Sequence, residues 1–265
     1  MSEIKNKKIL ITGGANGLGK AMGEIVLSRG ATLIIWDKDE FALDATIAEF
    51  SNYGKIYGYH LDISNKDKCR EIFNQTKEKH GNVDILINNA GVTVGKYFHE
   101  HTSDDISLLI EINVLAAMNI ANLALSGMIE QNSGHICNIS SCAGLIGSPK
   151  MSVYAASKWA ILGWSESLKV EMKRLKKNVK ITSVTPYYMN TEMFKNIKSR
   201  VPILDSKKLA TDIICAIEKN RSTLGVPWSM RRIRFLQSIL PAKFFEMFLD
   251  KFLGIYQASE SFETR

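Results

Sequence analysis

Short apolar runs and longer amphipathic stretches take turns along the chain. Residues 8–12 form the first apolar run, which stops at Gly13 and predicts a strand. Residues 18–29 have helical spacing, and Gly30 stands where a C-cap belongs. The alternation then repeats. Strands are predicted at 32–36, 55–60, 84–88, 135–140 and 180–185, and helices at 40–50, 66–80, 104–128 and 152–175. Beyond Pro186 the pattern loosens, with a helix at 206–219 and a last strand at 222–226.

Short apolar strands separated by helices build a parallel sheet covered on both faces. The expectation is an α/β fold with one doubly wound domain. No linker, repeat or low-complexity stretch divides the series. Residues 1–229 hold it, and 230–265 form a C-terminal helical extension of the same domain. In such sheets ligands bind beyond the carboxyl ends of the strands, where the strand order reverses.

The 265 residues are 45% hydrophobic and 23% charged, enough apolar material for a full core. A net charge of +7 is compatible with anionic ligands or membrane surfaces. Without zinc-finger spacing or an arginine-rich arm, nucleic acid is not an expected partner. Cys69, Cys137, Cys142 and Cys215 form no C-x-x-C pair, which fits reduced thiols in the cytoplasm. The apolar run from Ile9 meets Gly13 too soon for a signal peptide or membrane span. No metal cluster is expected, and His99 and His101 read as surface residues.

The first predicted strand runs into T-G-G-A-N-G-L-G at residues 12–19. Glycines there permit tight turning and close approach to a ligand. The following helix aims its N-terminal N–H groups at the same spot, which suits a pyrophosphate. The position between a strand and a helix, opening a βαβ unit, is the context a dinucleotide loop requires. Asp37, at the end of the second strand, can bind both ribose hydroxyls of the adenosine half. It would repel a 2′-phosphate by up to about 4 kcal/mol, so NAD is expected over NADP. Lys38, beside it, can soften that preference.

Residues 154–158 read Y-A-A-S-K in a predicted helix. Positions i and i+4 share a helix face, so the phenol and the ammonium reach the same place.

With these pieces the chain resembles the short-chain dehydrogenase/reductase family. The matches run in order: the glycine loop, Asp62-Ile63, N-N-A-G at 88–91, Asn113, S-S-C-A-G at 140–144, and Tyr154 with Lys158. They span roughly residues 7–195. The resemblance implies a Rossmann-type domain that transfers a hydride between NAD(H) and an alcohol/carbonyl pair. Tyr154 would be the acid/base. Holding its phenol ionised near neutral pH takes about 4 kcal/mol, which nearby cations can supply. Lys158 would stabilise the phenolate and hold the nicotinamide ribose. The family's serine precedes the tyrosine by thirteen residues, which selects Ser141 over Ser140. Asn113 would hold a relay water. Gly13, Asn16, Gly17, Leu18, Gly19, Asp37, Asp62, Ile63, Asn89, Tyr154, Lys158, Met189 and Thr191 would contact the cofactor. A homodimer or homotetramer is implied as well.

One departure stands out. The family has Pro-Gly after the sixth strand, and here Tyr187 replaces the glycine. Tyr187 either fills space over the nicotinamide or lines the substrate site. Tyr187, Tyr188, Met193, Phe194, Leu145 and Met151 suit a lipophilic alcohol or ketone, of steroid, retinoid or long-chain lipid type. The tail loosely resembles the retinol and hydroxysteroid dehydrogenase branch. Residues 230–245 hold four basic residues (Arg231, Arg232, Arg234 and Lys243) and no acidic one among many apolar residues. Pro241 is expected to divide two short helices. The pattern fits packing, a lid, a subunit contact or a helix in a membrane interface. The rival readings are a non-catalytic cofactor sensor, which does not need Asn113, Ser141, Tyr154 and Lys158 together, and an extended-branch dehydratase or epimerase, for which the chain is short.

Overall fold

The computed structural model describes residues 2–192, 197–227, 230 and 232–262. Seven strands form one sheet: β1 (Lys8–Thr12), β2 (Thr32–Asp37), β3 (Ile56–His60), β4 (Ile85–Asn88), β5 (Gly134–Ile139), β6 (Val179–Pro186) and β7 (Thr223–Val226). All neighbours are parallel, in the order β3-β2-β1-β4-β5-β6-β7. The chain moves outward from β1 to β3, then crosses back to β4 on the other side of β1. The β1/β4 boundary is therefore the switch point, with Thr12 and Asn88 at its carboxyl edge.

Alternation along each strand feeds two cores. Ile9, Ile11, Leu33 and Ile35 face α1 (Gly17–Ser28), α2 (Glu40–Phe50) and, through Ile213 and Ile217, α7 (Ser206–Glu218). Leu10, Ile34, Leu86 and Ile136 face α3 (Lys66–His80), α5 (Ala117–Glu130) and α6 (Ser152–Arg174). Strands buried on both faces read as continuous apolar runs, which is why the sequence marks them well.

The predicted helix at 104–128 is compound. α4 (Ser103–Ile110) passes into a π-helical turn, Glu111–Ala116, and then into α5. Together, Ser103–Glu130 is long and apolar enough to cross a membrane. Half of its most apolar window is buried within the fold, with Ile112, Ile120, Ala124 and Met128 in the second core, so it is a core helix here.

The tail forms α8 (Ile233–Ile239), α9 (Ala242–Met247), a π-helical turn at Phe248–Phe252, and α10 (Ile255–Glu260). Pro241 separates α8 from α9, as expected. Met230, Ile233, Phe245, Leu249 and Ile255 pack on Cys142, Ile146, Leu162 and Tyr187. Arg231, Met193 and Phe194 lie outside the described residues. His101 corrects the surface reading: its side chain is 0% exposed, and neither ring nitrogen has a hydrogen-bond partner. Its neighbour His99 is exposed.

Candidate active site

The glycine loop is fixed from both flanks. Gly13 and Gly17 have φ of 63° and 54°, in the left-handed region that favours glycine. A Cβ at Gly19 would run into the Gly13 carbonyl oxygen. Asn89 Nδ2 donates to the carbonyls of Thr12 at 3.0 Å and Gly13 at 2.9 Å. Thr12 Oγ1 accepts from the N–H groups of Asn89 and Ala90, both at 3.1 Å. Asn89, expected beside the cofactor, thus holds the loop itself while lining the cleft. Asn16 makes no side-chain cap, so it does not occupy the donors opening α1.

Asp37 closes the far end. One carboxylate oxygen accepts from Ala15 N at 2.9 Å and the other from Asp39 N at 3.1 Å. An ionised carboxylate has lone pairs left for ribose hydroxyls. Between Asp37 and Tyr154 runs a cleft of about 540 Å³. Every residue expected at the cofactor lines it except Gly19, which sits behind the loop. Lys38 lines it too. Glycine turns and a helix start at the switch point, with a carboxylate at the end of the adjacent strand β2, fit a dinucleotide.

α6 carries Tyr154 and Lys158 to the other end of the cleft, and both are buried. Lys158 Nζ lies 5.6 Å from the Tyr154 ring centroid and donates to the Ile139 carbonyl at 3.1 Å. Burial lowers its pKa to about 8. Burial pushes the Tyr154 phenol up, the Ser141 hydroxyl pulls it back, and Cys142 adds to the rise. Burial also lifts the Cys142 thiol to about 12, so it stays neutral.

The two serines separate. Ser140 Oγ donates to the Lys158 carbonyl at 2.9 Å, tying the end of β5 to α6. Ser141 Oγ accepts from Ala143 N at 3.2 Å and bears on Tyr154. Both amide hydrogens of Asn113 are engaged, and its oxygen accepts one bond. Its Oδ1 accepts from Val92 N at 2.8 Å, and its Nδ2 donates to Val92 O at 2.9 Å and Ser157 Oγ at 3.0 Å. Ser157 Oγ in turn donates to the Tyr154 carbonyl at 2.7 Å. A water at Asn113 would therefore have to donate to the second Oδ1 lone pair or use the main chain. Gly91 gives this cluster room, since a Cβ there would lie 3.1 Å from Asn113 Oδ1 and 3.3 Å from Lys158 Nζ.

A smaller cavity of about 30 Å³ adjoins Tyr154. Ser141, Cys142, Ile146, Met151, Tyr187 and Tyr188 line it, with Ile255 from the tail. The sequence reading missed Ser157, Cys142 and Ile255. Ser157 lies inside the Y-A-A-S-K stretch, and its role depends on Asn113, remote in sequence. Ile255 reaches the cavity only through tertiary packing.

A family model described as short chain dehydrogenase matches residues 7–202. The chain belongs to the short-chain dehydrogenase family. Relatives within it include epidermal retinol dehydrogenase 2 of Mus musculus, 35% identical over 98% of this chain and 86% of the relative. 17-beta-hydroxysteroid dehydrogenase 13 of Homo sapiens is 30% identical over 91% and 81%. A short-chain dehydrogenase/reductase from Burkholderia phymatum in complex with NAD superposes with a TM-score of 0.84 at 25% identity, over 90% of this chain and 95% of that one. The chain is thus an oxidoreductase of this family with a nicotinamide cofactor.

Proposed function

We propose that this short-chain dehydrogenase interconverts a lipophilic alcohol and its aldehyde or ketone, with NAD(H) as cofactor and Tyr154 as acid/base. The observation that carries the reading is the meeting of Tyr154, Ser141 and Lys158 where the dinucleotide cleft joins an apolar cavity. The nicotinamide, when bound, would accept or supply the hydride. Ser141 Oγ would orient the substrate oxygen, and Tyr154 Oη would give that oxygen its proton during reduction or take it during oxidation. Lys158, held by the Ile139 carbonyl, would favour the phenolate when protonated. Asn113 and Ser157 would fix the backbone of Tyr154.

Asp37 supports NAD over NADP, because its carboxylate lines the cleft and would repel a 2′-phosphate bound near it. The apolar cavity wall and the retinol and steroid names of the relatives support a retinoid, steroid or long-chain lipid. The outer face of the tail, with exposed Phe235, Ile239, Phe244 and Phe252, suits contact with a lipid surface.

The test is Tyr154→Phe, which removes one hydroxyl. Turnover of steroid or retinoid substrates is expected to fall by about 100-fold or more, with NADH binding kept and NADPH weaker than NADH. More than a tenth of the wild-type kcat would remove Tyr154 from the acid/base role. NADPH binding as tight as NADH would mean that Lys38 outweighs Asp37.

A further inference from the structure

The smaller cavity is too small for the substrates proposed above. At about 30 Å³ it compares with roughly 300–1,000 Å³ for pockets that enclose drug-sized ligands. A bulky substrate needs a wall to move. Ser141, Cys142 and Tyr154 belong to the sheet edge and α6, deep in the fold. Ile255 belongs to the tail, which is tied down through residues 197–201.

These ties form a chain. Lys198 N donates to Ser261 Oγ at 3.3 Å, and Arg200 Nη1 donates to the Lys251 carbonyl at 2.6 Å. Gly254 has φ of 62°, and a Cβ there would lie 2.8 Å from Arg200 Cδ, so tail and segment fit closely. The segment meets the end of β6 through a side-chain hydrogen bond, Tyr187 Oη to Ser199 Oγ at 3.0 Å, and through Val201, which packs in the same cluster as Tyr187. Ser199 gives its own hydrogen to the Val201 carbonyl at 2.8 Å, so the tyrosine is the donor. Tyr187 is itself fixed. It is 2% exposed, its N–H donates to Val226 O at 2.9 Å, and its ring meets Tyr188 edge-on at 4.8 Å.

We propose that Tyr187 is a specificity-determining residue, whose hydroxyl latches residues 197–201 and the tail over the substrate cavity while its ring limits the cavity's size. The inference rests on the oxidoreductase reading for its substrate and on the structure for its latch. A latched cover lowers the apparent affinity for bulky substrates by the fraction of molecules that are open. A small ketone that fits the closed cavity escapes that penalty.

The experiment compares wild type, Tyr187→Phe, Ser199→Ala and Tyr187→Gly with NADH and three ketones: acetone, 2-decalone and a steroid ketone. Hydrogen exchange at residues 197–204 is followed in parallel. Losing one neutral hydrogen bond is expected to lower KM for the steroid ketone about 2- to 10-fold in Tyr187→Phe and Ser199→Ala. Acetone KM should barely change, and exchange at 197–204 should quicken in both variants. Tyr187→Gly should shift preference further toward the larger ketones. Equal KM changes for small and large ketones, or unchanged exchange in both latch variants, would overturn the proposal. If wild type reduces none of the ketones, the substrate reading fails separately, and hydrogen exchange alone decides the latch.

Discussion

Burial drives Tyr154 and Lys158 the same way, toward neutrality. The phenol's pKa rises, and the ammonium's falls to about 8. A raised phenol pKa keeps Tyr154 protonated at neutral pH, ready to give a proton to a carbonyl. With Tyr154 in the proposed acid/base role, alcohol oxidation would need the phenolate, whose fraction grows as pH rises. The expected outcome is oxidation whose kcat/KM climbs from mildly acid to alkaline pH, while carbonyl reduction holds steady and then declines. The climb should flatten above about 8, where Lys158 loses the charge that favours the phenolate. Rate profiles in both directions check this, and oxidation that slows as pH rises would contradict it. The pair itself was legible because its spacing is local, one helical turn. The choice of Ser141 over Ser140 came from family spacing alone. The two serines differ in the structure, since the Ser140 hydroxyl donates to the Lys158 carbonyl.

The π-helical turn between α4 and α5 supplies the Asn113 side chain that grips Val92 and Ser157. Widened turns of this kind cluster at functional sites. Asn113→Ala would leave the Val92 N–H and C=O and the Ser157 hydroxyl short of partners. Each unmade buried hydrogen bond costs about 1–3 kcal/mol before relaxation, so a loss of about 2–4 kcal/mol is expected from urea unfolding. A loss below about 1 kcal/mol would mean that water replaces the amide. Turnover should fall as well, because Ser157 holds the backbone of Tyr154. The sequence predicts one uninterrupted helix here because nothing local marks the turn; no proline stands in 104–128. The bonds that accompany it reach Val92 and Ser157, far along the chain. The strands and the glycine loop were legible for the opposite reason. Their signals, continuous apolar runs and glycines in fixed positions, lie within a few residues. The role of Asn89 in holding the loop depends on β1 and β4 lying side by side, which spacing does not reveal.

At the scale of the whole molecule, the tail has two faces. Its inner face packs on Cys142, Ile146, Leu162 and Tyr187, and Ile255 lines the smaller cavity. Its outer face leaves Phe235 64%, Ile239 57%, Phe244 59% and Phe252 69% exposed. Lys243 and Lys251 stand exposed among them, while Arg234 is paired with Glu166 at 2.7 Å. Glu246 and Asp250 oppose these cations in part. Apolar side chains beside cations suit the boundary of an anionic bilayer, where each cation adds about 1 kcal/mol that salt screens. A lipophilic substrate could then pass from the bilayer to a cavity covered by the same tail. Removing the tail is a poor test, because it would strip Ile233, Phe245, Leu249 and Ile255 from their cluster. Phe235→Ser with Phe244→Ser changes only the outer face. Wild type is expected to sediment with phosphatidylserine vesicles at low salt and to release at high salt. The double variant should stay in solution while keeping its activity on soluble ketones. If wild type remains in the supernatant at low salt, or the double variant sediments equally well, this face is not what meets lipid.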